Sequence, residues 1–385
     1  MRILLTGARA PVTLDLARQL WRAGHEVYLA DSVHLPLARF SRAVRRTFVV
    51  TQPARNPARY IDDLVAIVRQ RRIELVVPTC EEIFYIAVRR EAFSGLADVF
   101  AERLPVLAPL HNKWKFTQQV TALGGAAQSP ESHLLCCAAD LAPWKHERDP
   151  ADWVFKPVYS RFAARTLIGP TRGAIEQLQP VGYDKWLAQR LIRGQEYSTY
   201  SIAHHGQLTA HACYRSLYRA GPGSGIYFVA EQPPGVREFT EQLVARLAFT
   251  GQIAFDFIAG DDGKLYVLEC NPRATSGLHL LAGQPLAGAL LNPAGPITEP
   301  RSARPAMLGS IMLLYALPQA LRRRQLKVLC RDLLRARDVM FAWDDPLPAL
   351  LAPLSLVEVV LTALRTRQAL TRAATFDIEW NGEPL

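Results

Sequence analysis

In the stretch AFDFIAGDDGKLYVLECNPR, Asp256 is followed by Glu269, Asn271 and Arg273. The intervening Asp261-Asp262-Gly263 is a strong short-range hairpin signal, so Asp256 falls on one strand and the other three on or just beyond the next. Side chains alternate along a strand, which puts Glu269, Asn271 and Arg273 on one face, and pairing across the hairpin brings Asp256 close to Glu269. Two carboxylates and an amide oxygen form the hard oxygen set that magnesium takes when it also binds substrate phosphates. An arginine beside them suits a phosphoryl or carboxylate group in transfer. Taken alone, the same spacing also fits the solvent face of an ordinary hairpin.

The elements that must hold this hairpin can be read outward from it. At 385 residues the chain is long enough for two or three lobes. Its first hundred residues alternate strand-like runs (RILLTG, HEVYLAD, IELVVPT) with helical periodicity near Val12–Ala23 and Pro57–Arg71, a βαβ pattern with a parallel sheet. Gly7 and Pro11 punctuate the first turn, but the full GxGxxG of a dinucleotide site is missing, and Asp31 reads as a strand or helix cap more readily than as a ribose ligand. NKWKFTQQVTAL, from Asn112 to Leu123, is a helix that opens a second lobe of short strands. A helix over Arg237–Thr250 precedes the hairpin. Beyond about residue 292 a proline-rich connector leads to helices over Leu321–Arg337 and Leu350–Arg372 that combine apolar faces with clustered arginine.

Composition narrows the setting. No run reaches the roughly 18 uninterrupted apolar residues of a bilayer span, and the N-terminus reads as a strand and turn, so a soluble cytoplasmic protein is expected. The six cysteines form no CxxC pair, which indicates neither a zinc site nor a disulfide framework. A net charge of +10 favours anionic partners. The basic residues are dispersed, without the aromatic interleaving of an RNA-binding sheet, so nucleic acid is not expected among them.

From residue 1 to about residue 285 the chain resembles the ATP-grasp superfamily, in particular the branch of biotin carboxylase and the carbamoyl-phosphate synthetase large chain. The resemblance implies an α/β ATP-grasp fold: a parallel α/β domain over 1–110, a small lid over 111–190, an antiparallel-sheet domain over 191–292, and a C-terminal helical extension over 293–385. It implies ATP and Mg2+ (or Mn2+) as cofactors. Lys113 in HNKWKF and Lys156 in VFKPV match the family's ATP-binding cations, with Lys115 as a neighbouring competitor for the first. In AQRLIRGQEYS, Gln189, Arg190 and Leu191 match the hinge that meets adenine, and Glu196 matches the ribose position. Asp256, Glu269 and Asn271 match the metal ligands, and Arg273 lies near the reacting phosphate, with Lys156 as its catalytic companion. The family's lid carries a glycine-rich loop after the second lysine. Here that segment runs Tyr159 to Thr166 without glycine, and either its alanines permit close approach or Arg161 and Arg165 substitute charge for backbone donors.

The implied activity is an ADP-forming ligase that activates a small-molecule carboxylate as an acyl phosphate and couples it to an amine, thiol or similar nucleophile. Arg215, His211, Ser276 and His279 are candidates for the acceptor site. A nicotinamide-dependent enzyme would leave Lys156, Glu196 and the metal strand unexplained. A non-catalytic nucleotide scaffold or sensor is kept open by the altered lid loop but leaves the three retained metal ligands unexplained, and a bicarbonate-dependent carboxylase, suggested by kinship with biotin carboxylase, ranks below an amide-forming ligase. For the C-terminal helices, an acidic carrier protein or an acidic membrane surface is the candidate partner.

Overall fold

The computed structural model describes residues 1–161, 165–182, 184–221 and 223–385. Its elements gather into three sheets. The strands β1 (Arg2–Thr6), β2 (Glu26–Asp31), β3 (Val44–Val49), β4 (Leu75–Val77) and β5 (Asp98–Val99) make an all-parallel sheet in the order β3-β2-β1-β4-β5. Ile3, Leu4 and Leu5 are fully buried at its centre, as a strand covered on both faces requires. Helices Pro11–Arg22 and Pro57–Arg71 provide crossovers, each opened by a proline whose missing N–H costs nothing in a first turn. Gly7 ends β1 in a left-handed turn (φ +70°) so close to Thr79 and Cys80 that a Cβ would collide with both side chains. The sequence reading had passed over β3, an edge strand carrying Arg45 and Arg46 on exposed positions.

The second sheet is antiparallel, with β6 (Ser132–Leu135), β7 (Trp153–Pro157), β8 (Leu167–Ile168) and β9 (Trp186–Arg190) in the order β6-β9-β7-β8. It has a core of its own, built on Leu135, Trp144, Trp153, Phe155 and Trp186. Trp144 and Trp153 meet edge to face at 5.3 Å.

The third sheet contains β10 (Gly194–His204), β11 (Gln207–Ala220), β12 (Ser224–Ala230), β13 (Gly251–Gly260), β14 (Leu265–Asn271), β15 (Ala306–Met307) and β16 (Arg337–Asp338) in the order β14-β13-β10-β11-β12-β15-β16. Gly194 starts β10 just after the last lid strand. At φ +152° it lies so close to the Ala259 carbonyl that a side chain there would overlap it, so the link from lid to sheet depends on glycine. The first and third sheets share their cores. One cluster joins Leu14, Ala17 and Leu20 to Tyr200, Leu278 and Leu281, and another joins Phe84 and Phe116 to Phe239 and Phe255.

The C-terminal region departs from its sequence reading. Its first helix, Gly309–Arg322, begins just past the proline-rich connector and ahead of the Leu321 start read from the sequence, and it turns through a left-handed Arg324 (φ +55°) into Leu326–Arg335. The last long helix is Leu347–Thr366, stopped by a left-handed Arg367. This helix is long and apolar enough to cross a membrane by length and composition, although Ser355, Glu358 and Thr362 interrupt its apolar run. The region is bound tightly to the rest. β15 and β16 extend the third sheet, buried Arg18 pairs with Asp345 at 2.8 Å, and Arg9 bridges Asp31 and Asp377 at 2.5 and 2.6 Å. Asp31 is thereby committed to an ion pair.

Candidate functional site

The site is built where the lid meets the third sheet. Asp256 and Glu269 are direct partners in the β13–β14 register, and Ala254 faces Asn271. One residue further along, Phe257 pairs with Val267, so Leu268 is an extra residue on β14. This bulge breaks the simple alternation. Val267 turns into the core beside Phe257 while Glu269 stays with the half-buried polar face. On the next strand Ser198, opposite Asp256, donates its hydroxyl to Oδ1 of Asp256 at 2.6 Å. Arg273 donates to Oδ1 of Asn271 at 3.2 Å.

Two lysines face this acidic pair. Asn112 caps the Lys113–Leu123 helix by accepting the Lys115 backbone N–H at 3.0 Å, which fixes Lys113 in the first helical position. The Lys113 ammonium, 4% exposed, lies 3.2 Å from Glu269 and donates to the Ser160 carbonyl at 2.9 Å. Lys115, two positions further on, is exposed. Lys156 is buried on β7 of the lid.

The electrostatics follow from this crowding. Burial and repulsion from Glu269 push the Asp256 carboxyl well above the ordinary carboxylate range. Burial also opposes charge on Glu269, but Lys113 and Lys156 outweigh it and hold that carboxyl low. Burial pulls Lys156 down to about 8, against the attraction of Glu269 and with Lys113 adding repulsion. Two adjacent carboxylates, one of them reluctant to ionise, and the oxygen of Asn271 are a donor set that a divalent cation fits. Among the described residues no group of three or more His, Cys, Asp or Glu side chains converges, so such a cation would take its remaining ligands from outside the protein, as magnesium does on nucleotide phosphates.

The other sequence candidates are distributed around this centre. Gln189 is buried and donates to Ser132 Oγ at 3.1 Å, while Arg190 is exposed, 3.3 Å from Asp152 and over the Trp153 ring. The backbone N–H groups of Arg190 and Leu191 are already engaged by the carbonyls of Glu131 and Asp152. Glu196 is exposed on β10 and paired with Arg219. Arg161 and Arg165 part company: Arg165 faces Asp184 at 2.6 Å and covers the Trp186 ring, whereas Arg161 turns inward onto Glu81. Phe162, Ala163 and Ala164, the middle of the glycine-poor loop, lie outside the described residues. His211 is buried against Ser201 (2.9 Å), His279 against Asp15 (2.8 Å), and Arg215 pairs with Glu231 at 2.8 Å. Those three are thus occupied in structural contacts.

A second cluster had escaped the sequence reading. Buried Glu81, just past β4, receives Arg161 on one oxygen and faces Arg273 at 3.6 Å from the other. Burial raises its proton affinity, but Arg161, His111 and Arg273 lower it by more. The C-terminal tail closes over Arg161, which donates to the Trp380 carbonyl at 2.7 Å and to Asn381 at 2.9 Å. A signal was present in the sequence, since Glu81 follows IELVVPT and the carboxyl ends of parallel strands face ligand crevices.

Comparison with known proteins agrees with this geometry. Residues 110–277 match the model of the ATP-grasp domain. No curated protein matches the sequence. Among solved structures, N5-carboxyaminoimidazole synthetase from Staphylococcus aureus is similar with a TM-score of 0.61 and 12% identity, over 84% of this chain and 86% of that one. The L-amino acid ligase of Bacillus licheniformis has a TM-score of 0.56 and 17% identity, over 75% and 74%. The biotin carboxylase domain of Hydrogenobacter thermophilus 2-oxoglutarate carboxylase, in complex with MgADP, ADP and bicarbonate, has a TM-score of 0.55 and 13% identity, over 71% and 64%. Residues 110–277 of this chain are an ATP-grasp domain, and the protein as a whole has the ATP-grasp fold.

Proposed function

We propose that the protein is an ATP-dependent ligase that activates a carboxylate as an acyl phosphate and couples it to an amine or similar nucleophile, releasing ADP and phosphate. The observation that carries this reading is the convergence of Lys113 and Lys156 on Asp256 and Glu269 where the lid meets the third sheet. Four ionisable side chains in so small a space are costly unless they serve ligands that bring charges of their own. Similar folds among solved structures include a carboxyaminoimidazole synthetase, an amino acid ligase and a biotin carboxylase domain holding MgADP, which supports the reaction class.

In this reading Asp256, Glu269 and Asn271 hold Mg2+ or Mn2+, which would neutralise phosphate charge when bound. Lys113 and Lys156 hold phosphate oxygens, and the hinge over Gln189, Arg190 and Leu191, with Glu196, receives the nucleoside. The N–H groups of Arg190 and Leu191 are spent on the lid, so the base is read by other groups of the hinge. Arg273 takes the substrate carboxylate or the transferring phosphoryl group, and Glu81 orients Arg273 together with Arg161. A carboxylate oxygen attacks the γ-phosphorus and ADP leaves; the nucleophile then attacks the acyl carbon and phosphate leaves. The protein's contribution is positioning and fixed charge, without a covalent enzyme intermediate.

The test is a screen of carboxylates with and without amines for ADP release, with hydroxylamine present to trap the acyl phosphate as a hydroxamate. ADP and hydroxamate are expected together. AMP and pyrophosphate as products would overturn the reading.

A further inference from the structure

The Leu347–Thr366 helix turns most of its large apolar side chains outward. The side it turns toward the protein carries Pro348, Ala352, Ser355, Glu358 and Ala363 beside half-buried Leu351 and Val359. Its outer side carries Leu347, Leu350, Leu354, Val357, Leu361 and Leu364, each between 44% and 70% exposed. Of its most apolar stretch only 11% is buried. Two other helices of the C-terminal region also expose apolar side chains: Leu313, Leu314, Leu317 and Leu321 on Gly309–Arg322, and Leu334, 85% exposed, on Leu326–Arg335. Trp343, just before the long helix, is 91% exposed. Large apolar surfaces of this kind mark interaction sites.

Charge decides what would cover it. Arg322, Arg323, Arg324, Lys327, Arg331 and Arg335 are all exposed along the turn and the second helix, and Arg365 and Arg367 are exposed at the end of the long one. The acids of the region are already engaged. Asp332 is buried and accepts from Tyr218, Asp344 pairs with Arg22, and Asp345 pairs with Arg18. Glu358 accepts the backbone N–H groups of His34 and Leu35, both at 2.7 Å. The outward surface is therefore apolar and cationic.

Glu358 also excludes threading. Its two hydrogen bonds fasten the middle of the helix along the side of the N-terminal sheet domain, so the helix presents one long face in a plane. A second copy of the helix could meet a row spaced three and four apart, as in a coiled coil, but such seams are flanked by charged residues that select the partner. From Leu347 to Leu364 the one charged side chain is Glu358, and it points inward. A lipid surface needs no such flanks. Exposed leucine and tryptophan with exposed arginine at the helix end and on the adjoining helices is the composition of an interfacial segment on anionic lipid.

We infer that the C-terminal helices dock this protein on the surface of a bilayer rich in anionic phospholipid, with the outer leucines at the boundary of headgroups and acyl chains and the arginines on lipid phosphates. This attachment is independent of the ligase reading.

The experiment is flotation of the full chain with vesicles of phosphatidylglycerol and phosphatidylcholine in equal parts, against vesicles of phosphatidylcholine alone, at 50 mM and 500 mM salt in order-of-magnitude terms. The protein is expected to float with the anionic vesicles at low salt and to be released at high salt. Replacing Arg322, Arg323 and Arg324 together by Gln should weaken partitioning roughly a hundredfold, and Leu354→Gln with Leu361→Gln at least about tenfold, with circular dichroism confirming that each variant is folded. No flotation with anionic vesicles overturns the inference. So does equal flotation by the leucine variant, or a stable dimer in light scattering that fails to float and dissociates when the leucines are changed, which would assign the face to self-association.

Discussion

Two regions of this molecule place side chains against the ordinary rules of burial, and they do so in opposite directions. At the junction of lid and third sheet, beside a half-buried Glu269, Lys113 and Lys156 are charged groups drawn out of water. On the Leu347–Thr366 helix, leucines that could fill a core stand in it. The two differ in what surrounds them. The buried charges are partly matched by one another, but not fully: burial and the neighbouring Glu269 leave Asp256 with a raised proton affinity. The exposed leucines have no apolar counterpart at all on their outer side. An incomplete charge set calls for ions and phosphates, and an uncovered apolar row calls for an apolar phase, so the same test of what is missing reads both.

The largest expected effect is at the charge set. Glu269→Gln keeps the side chain's shape and removes the negative charge that faces Lys113. If the site holds a cation and phosphates, ADP release should fall by about a hundredfold or more, the usual scale for removing an electrostatic element aimed at a transferring group. Measured at saturating substrate beside the wild type, full activity in the variant would break the comparison by making the cleft a structural ion cluster.

Next is the pH response of Lys156. Its ammonium is pulled down to about 8 by burial, so its charge is present below that value and lost as pH rises through it. The KM for ATP should then rise about tenfold between roughly pH 7 and 9, since each unit above the pKa leaves about a tenth of the cation. Lys156→Arg, charged throughout, should flatten the profile even if it lowers the rate. A wild-type profile that is flat over this range would mean that the lid lysine does not contact phosphate.

A smaller effect is expected at the cap that aims Lys113. Asn112→Ala removes the acceptor for the Lys115 N–H, at a cost of about 1 kcal/mol in stability. Chemical denaturation should show that loss, together with weaker ATP binding because the first turn carrying Lys113 frays. A loss of stability with ATP binding unchanged would separate the helix from the site.

How much of this could be read from sequence depended on how local the cause was. The pairing of Asp256 with Glu269 follows from a two-residue periodicity and an Asp-Asp-Gly turn, both contained within twenty residues. The bulge at Leu268 was hidden because it answers to the core, where Val267 is wanted beside Phe257. Glu81 was hidden because its partners, Arg161 and Arg273, come from distant segments, and the tail that seals Arg161 comes from the far end of the chain. The split at Arg324 had no signal, since a non-glycine residue in a left-handed turn looks like any other arginine. Pro318 lies inside the Gly309–Arg322 helix, where a proline ordinarily marks a helix end, so the sequence pattern places the start of a helix only after it, at Leu321.

The smallest expected effect is the one that sharpens the comparison most. The outer leucines that stand furthest into water gain least on folding, and Leu350→Gln with Leu364→Gln, at positions 65% and 70% exposed, should change the free energy of unfolding by no more than about 0.5 kcal/mol. The control is a leucine of the shared core. Leu281→Ala, fully buried between the first crossover helix and the third sheet, should cost about 2–5 kcal/mol by losing transfer energy and opening a cavity. Both are measured by urea denaturation in the absence of lipid and at low protein concentration, so that self-association does not enter. A loss of several kcal/mol from the outer pair would show that the helix is held by that face in the soluble protein. The likeness drawn between an uncovered apolar row and an incomplete charge set would then fail on its apolar side.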